Sequence, residues 1–243
     1  MLLCSTSCLK TDIPPILISK DSGLAGEGFI YFSGYRWKVK NSPRIKIGPG
    51  PNFWSQRNVW VDAQGRLHLR LAKYGNNWYC AEVQSVDSFG LGTWQWKVEG
   101  AIDLLDKNLV LGLFNYSGND GFDEMDIEFA RWGKLTNPNL NYTVWPAQSG
   151  FSNFSFSQEF SLHGTYTTHR FTRTGNSVTF KSLNGFYDDD TNLFATGTCT
   201  NPPNSINVLK MPAYMNLWMF KGKLPSDAKA LDIVVHEFSY RPL

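Results

Sequence analysis

The sequence predicts an all-β protein, a sandwich or jelly roll of antiparallel strands. Apolar and polar residues alternate with a period of two in one segment after another. Turn formers punctuate those segments at 48–51 (Gly-Pro-Gly-Pro), 75–77, 117–121 and 174–176. Many short strands divided by such turns make a sandwich or jelly roll. Only 224–231 hints at a helix, a short one with Ser226 as its cap.

Taken in order, Leu67, Leu69 and Leu71 alternate with Arg66, His68 and Arg70, the pattern of a half-buried strand. Trp94, Trp96 and Val98 alternate with Gln95, Lys97 and Glu99 in the same way. The apolar run 109–114 reads as a strand buried on both faces. Short strands then recur near 141–144, 170–171, 178–180, 215–220 and 233–240. No internal repeat, low-complexity tract or linker interrupts them. The chain of 243 residues suits one domain with an ample core, spanning 28–243.

Residues 1–27 differ. The stretch is rich in Ser, Cys and Pro and lacks strand alternation. It has neither a basic start nor an apolar run of signal-peptide length, so two readings stay open. One is a disordered tail. The other is the remnant of an export signal, with Cys4 or Cys8 left from a lipid-attachment site. No segment has the length and hydropathy of a membrane span.

A net charge of +2 with scattered Lys and Arg gives no case for nucleic acid and argues against an anionic polymer. The aromatic fraction of 15%, with 9 Trp and 10 Tyr, suits a protein that stacks rings on sugar faces, although most of these rings are expected in the core. Cys80 and Cys199 are far apart in sequence, and pairing and remaining free both stay open. Metal-ligand spacing is absent, so no metal site and no required cofactor are expected. Structural calcium elsewhere on the sandwich is left open. Sequons at Asn115, Asn141 and Asn153 matter only in a eukaryotic secretory host.

The most informative stretch is 123–129, where carboxylate and apolar side chains alternate. On a strand, Glu124, Asp126 and Glu128 share one face while Met125, Ile127 and Phe129 share the other. The apolar set can enter a core. The acidic set must crowd on the opposite surface, where like charges repel. Two carboxylates flanking a glycosidic bond are the working parts of most glycosidases. The Cα atoms of Glu124 and Glu128 lie roughly 13 Å apart on an extended strand. Side-chain reach and strand twist bring the carboxyl separation of about 5–5.5 Å, the retaining geometry, within range. Asp126 between them can set their pKa values apart.

Phe122-Asp-Glu-Met-Asp-Ile-Glu-Phe129 resembles the signature of glycoside hydrolase family sixteen, the lichenase and laminarinase family. Asn58-Val-Trp-Val-Asp-Ala-Gln-Gly-Arg-Leu-His-Leu69 and Ala81-Glu-Val-Gln-Ser-Val-Asp-Ser-Phe-Gly-Leu-Gly-Thr93 look like its early segments. Leu111-Gly-Leu-Phe-Asn-Tyr-Ser-Gly118 and Met215-Asn-Leu-Trp218 are similar to strands lining its cleft. The resemblance spans about residues 28 to 243 in the family's order. It implies a concanavalin-like β-jelly-roll sandwich of two antiparallel sheets with a concave substrate cleft. It also implies retaining, endo-acting cleavage of a β-glucan, with β-1,3-1,4 or related linkages. Glu124 would be the nucleophile, Glu128 the general acid/base and Asp126 the helper. The spacing is the non-bulged Glu-x-Asp-x-Glu form shared by lichenases and xyloglucan-type transglycosylases.

The same likeness, with strand parity, points to Tyr116, Phe122, Asn141, Asn216 and Trp218 as sugar-binding residues. Two sequons, Asn115 and Asn141, fall in segments so assigned. Phe122 stands where Trp is common, Gln84 where lichenases often carry Arg, and Arg170-Phe-Thr-Arg173 replaces a more aromatic segment. These departures bear on substrate choice. His169 is read as structural rather than catalytic. A secreted, periplasmic or cell-surface monomer is expected. Two rivals remain: a transglycosylase using the same intermediate, and a non-catalytic glycan-binding jelly roll.

Overall fold

The computed structural model describes residues 28–243, so the expectations for 1–27 lie outside the described residues. These 216 positions carry seventeen strands, three single-turn 3-10 helices and no α-helix. The first five strands are β1 (Gly28–Phe32), β2 (Tyr35–Val39), β3 (Ser42–Ile47), β4 (Asn52–Trp54) and β5 (Val59–Val61). Then come β6 (Leu67–Tyr74), β7 (Asn77–Phe89), β8 (Gly92–Glu99), β9 (Leu109–Tyr116), β10 (Glu124–Ala130) and β11 (Leu140–Val144). The last six are β12 (Phe154–Gln158), β13 (Tyr166–Arg173), β14 (Ser177–Asn184), β15 (Leu193–Thr200), β16 (Met211–Met219) and β17 (Leu231–Pro242).

Fifteen of them make two antiparallel sheets packed face to face, while β3 and β4 pair with each other and β4 adds to β7 in parallel. The front sheet runs β1–β2–β7–β16–β9–β10–β11–β12. The back sheet runs β5–β6–β17–β8–β13–β14–β15. The β6–β7 hairpin joins them at one edge: Trp78 and Tyr79 pair with β6, and the rest of β7 continues into the front sheet. This is the jelly-roll sandwich that the alternation predicts.

The core follows from the period of two. Leu67, Leu69 and Leu71 point inward from β6, Trp94, Trp96 and Val98 from β8, and Met125, Ile127 and Phe129 from β10, all fully buried. Trp37 and Trp96 pack on Phe238 with ring centroids 5.3 and 5.4 Å apart. Each such side chain contributes about 1.5–3 kcal/mol by leaving water. Strand β9 is buried on both faces along nearly its whole length, as its apolar run predicts.

Two expectations change, and the open question of the cysteines closes. Residues 224–231 form no helix. Ala228 has φ of +53°, its N–H closes a turn onto Pro225, and the N–H of Ser226 donates to Asp106, which leaves Ser226 no helix to cap. Strand β16 starts earlier than 215 and stops at Met219, because Phe220 begins a 3-10 turn. Cys80 and Cys199 are buried and free, not paired. His169 sits between the sheets, as a structural histidine would. Its Nδ1 lies 2.8 Å from Ser182 Oγ, its ring packs against Phe129, and burial pushes it down to about 3, so the imidazole is neutral.

Candidate active site

A cleft of about 740 Å3 lies on the outer face of the front sheet, and the acidic face of β10 forms part of its floor. Glu124, Asp126 and Glu128 all line it, while Met125, Ile127 and Phe129 anchor the other side of the strand in the core. Antiparallel register fixes their neighbours, since residues directly opposite share a face. Glu124 is opposite Tyr116 on β9. Asp126 is opposite Phe114, which is opposite Tyr214 on β16, which is opposite Gln84 on β7. Glu128 begins a second row through Gly112 and Asn216 to Glu82.

Gly112 is where this second row needs glycine. A Cβ there would stand 2.5 Å from Asn216 Oδ1, so the missing side chain lets the amide lie across β9. Asn216 Nδ2 donates to Glu82 Oε2 at 3.1 Å, and Lys40 Nζ donates to the other Glu82 oxygen at 2.8 Å. Lys40 also donates to Gly48 O and lies 4.2 Å from the Trp54 ring centroid. The Glu82 charge is thus compensated on the spot.

Among the described residues, no cation pairs with the β10 carboxyl groups in this way. Burial and then the neighbouring carboxylates raise all three. Glu124 is pushed up to about 7, burial outweighing a hydrogen bond from Asp126. Glu128 is pushed up to about 8 by burial and by the charge of Glu124. Asp126, buried between both, is raised well above the usual carboxylate range. It shares a side-chain hydrogen bond with Glu124, and its Oδ2 accepts from Trp145 Nε1 at 3.0 Å. The backbone N–H of Trp145 donates to Glu124 O at 2.8 Å, which ties the end of β11 to the start of β10.

The sugar-binding expectations divide. Tyr116 lines the cleft; its hydroxyl donates to Asp120, and its ring lies edge-on to Tyr214 at 6.1 Å. Asn216 and Trp218 line it too, from one face of β16. Trp218 is only 9% exposed, so it offers the cleft an edge rather than an open platform. Asn141 is opposite Glu128 on β11, but its amide donates to Ala130 O at 3.0 Å and accepts from Ser157 Oγ at 2.8 Å. It braces the strand from outside the cleft lining.

Phe122 is a correction. It was placed in the cleft by counting back along the strand, yet β10 begins at Glu124. Asp123 takes a left-handed φ of +55° and its N–H donates to Pro146 O, so the alternation ends there. Phe122 belongs to the preceding loop and does not line the cleft. Of the sequons, Asn115 is fully buried on the core face of β9, where its Oδ1 accepts from Met125 N, and Asn141 is buried as well. Only Asn153 is exposed.

Phe114, Tyr214, Glu82 and Lys40 are cleft residues that sequence reasoning missed. Phe114 and Tyr214 stack at 4.9 Å and 14°, an aromatic floor beside the carboxyl groups. Parity from Tyr116, Asn216 and Gln84 would have found three of the four. Among the described residues, no group of three or more His, Cys, Asp and Glu side chains is arranged to hold a metal ion. No helix there is long and apolar enough to cross a membrane.

No family model matches the chain, and no curated protein matches it in sequence. Solved structures do match in fold. The Bacillus licheniformis β-glucanase superposes with a TM-score of 0.67 at 21% identity, over 91% of this chain and 100% of that one. A β-1,3-1,4-glucanase (lichenase) from a mouse hindgut metagenome gives 0.62 at 19%, over 88% and 96%. Rv0315 of Mycobacterium tuberculosis, described as an immunostimulatory antigen and pseudo β-1,3-glucanase, gives 0.62 at 20%, over 82% and 88%. The chain therefore has the fold of β-glucanases and glucanase-like proteins.

Proposed function

We propose that this chain is a retaining, endo-acting glycoside hydrolase of the family-sixteen type that cleaves a β-glucan. The observation that carries the reading is the β10 face: three carboxyl groups in a sugar-sized cleft, with no cation paired to them among the described residues and with their pKa values raised by burial. Glu124 and Glu128 are both raised by burial, and the charge of Glu124 adds to the rise at Glu128, which favours Glu128 as the group that holds the proton.

In this reading Glu128 protonates the glycosidic oxygen as Glu124 attacks the anomeric carbon, forming a glycosyl ester and releasing the leaving sugar. Glu128, now a carboxylate, takes a proton from water, whose oxygen attacks the same carbon and frees Glu124. Asp126 holds Glu124 in place through its hydrogen bond and is itself oriented by Trp145. Forming the ester removes the Glu124 charge, which lowers the pKa of Glu128 at the step where it must act as base. Tyr116, Asn216 and Trp218, with the Phe114–Tyr214 stack, form the sugar-binding surface. The proposed partner is a soluble or wall polysaccharide, met outside the cell or at its surface by a monomer that needs no cofactor.

Reducing-end release from mixed-linkage β-glucan, laminarin and xyloglucan, beside a Glu124→Gln control, tests this. Release that the control abolishes supports it, and an equally active control overturns it. Longer products than substrate would make the chain a transglycosylase. A pseudo-glucanase among the fold neighbours favours a second reading, a glycan-binding protein without turnover. Binding without release by the unaltered chain would select it.

A further inference from the structure

The outer face of the back sheet carries aromatic rings that the core does not use. Trp60 on β5 lies flat against His68 on β6, with centroids 4.5 Å apart and 11° between planes. Tyr166 on β13 is 49% exposed and touches Phe186 and His236, with centroids 4.9 and 5.8 Å away. Phe186 and His236 are 4.8 Å apart. Trp60, Tyr166 and Phe186 all stand outside the hydrophobic core and its partly buried flank.

Register puts these two ring groups at the ends of one line. Trp60 is opposite His68, His68 opposite Val234, Val234 opposite Glu99, and Glu99 opposite Tyr166. Four strand spacings make that line about 19 Å long. A chain of polar pairs fills the space between. Asp232 and Asp62 both contact His68, at 3.2 and 3.1 Å. Arg66 contacts Asp62 at 2.7 Å and Glu99 at 3.9 Å, and Glu99 contacts His236 at 2.6 Å.

We infer that this strip is a second glycan-binding site, an outward platform that holds a neutral polysaccharide while the cleft works on the same polymer. Ring, polar pairs and ring in sequence match a sugar chain, whose C–H faces stack on aromatics and whose hydroxyls both donate and accept. Charge excludes the obvious competitor. Asp62, Asp232 and Glu99 crowd around a single arginine, Arg66, so the strip lacks the cationic excess that a nucleic acid would require. A peptide added to the sheet would pair with the edge of β5 and leave the rings across the face uncovered. The choice of glycan as occupant rests on the proposed glycosidase function, while the strip itself is a separate surface.

The test uses Glu124→Gln full-length protein in affinity electrophoresis through mixed-linkage β-glucan, and calorimetric titration with a β-glucan oligosaccharide. Trp60→Ala and Tyr166→Ala are combined in that background, with Trp60→Phe and Tyr166→Phe as the conservative pair. Thermal melts confirm that each folds. The parent is expected to show a second class of sites, which the alanine pair weakens about tenfold and the phenylalanine pair largely restores. A single class of sites in the parent, or retardation unchanged by the alanine pair, overturns the platform. The two readings fail separately. Hydrolysis by the unaltered chain with one class of sites removes the platform alone, and ring-dependent binding without hydrolysis removes the glycosidase alone.

Discussion

Both outer faces of the sandwich carry carboxylates, and they hold them in opposite ways. On the front face Glu124, Asp126 and Glu128 are crowded together with no cation paired to them among the described residues, and burial with the neighbouring carboxylates raises all three. On the back face every carboxylate with a shifted pKa is lowered. Hydrogen bonds from Lys97 lower Asp188, and those from Lys181 lower Asp190. Asp62 is held down against the pull of burial by Arg66 and His68. Carboxyl groups buried on a strand beside other carboxyl groups are thus pushed toward their protonated form, while those in the exposed connections of the back sheet are held as anions by the donors they meet. Burial and the partner together decide which. Within the cleft, Glu82 does have a cation partner, Lys40 at 2.8 Å.

The largest expected effect is on turnover. Glu124→Gln should cut polymer cleavage by about a thousandfold or more, which is about 4 kcal/mol of barrier, with folding intact by circular dichroism. Next is the reverse side of the same strand. Ile127→Ala should lower unfolding free energy by about 2–5 kcal/mol in urea melts, because that side chain is fully buried between the sheets. One face of β10 would thereby lose chemistry and the other stability.

Gly112→Ala comes third. Its Cβ must displace Asn216 Oδ1 from 2.5 Å, so a stability loss of about 1–3 kcal/mol should accompany weaker substrate binding, read as a raised KM.

The fourth prediction concerns pH. A carboxyl whose folded pKa is raised stabilises the fold below its unfolded value, here 4.5 for Glu128, and that stability is lost as pH rises through about 8. The Tm of Glu128→Gln relative to the unaltered chain should therefore climb across that window, by on the order of several °C. Asp62 has the opposite sign: its contribution is present above the unfolded value and is lost as pH falls. The smallest effect belongs to the back face, where Arg66→Ala should cost about 0.2–1 kcal/mol, because a partly exposed pair is screened by solvent. A larger loss there would erase the contrast between the faces.

Much of this was legible because strands have a strict period. The alternation at 124–129 fixed which side chains of β10 enter the core and which meet the cleft. The leucines of β6 and the tryptophans of β8 were equally plain. Parity failed where the strand ended unannounced. The left-handed Asp123 removed Phe122 from the cleft, and the helix expected at 224–231 gave way to a turn tied to Asp106. Trp145 was invisible for another reason. It reaches Asp126 from beyond β11, and no local pattern marks a contact made by tertiary packing. Parity puts Trp218 and Asn141 on the cleft face, but how covered each is depends on tertiary packing that no local pattern marks.

The account stands or falls on Glu124 acting as a nucleophile beside a protonated Glu128. Incubation with a fluorinated β-glucosyl oligosaccharide that traps the glycosyl-enzyme, followed by peptide mapping in a mass spectrometer, tests this directly. One sugar ester per chain is expected, carried by Glu124 and absent from Glu124→Gln. Turnover without any trapped ester, or an ester mapped to Glu128 or to a residue outside β10, would contradict it.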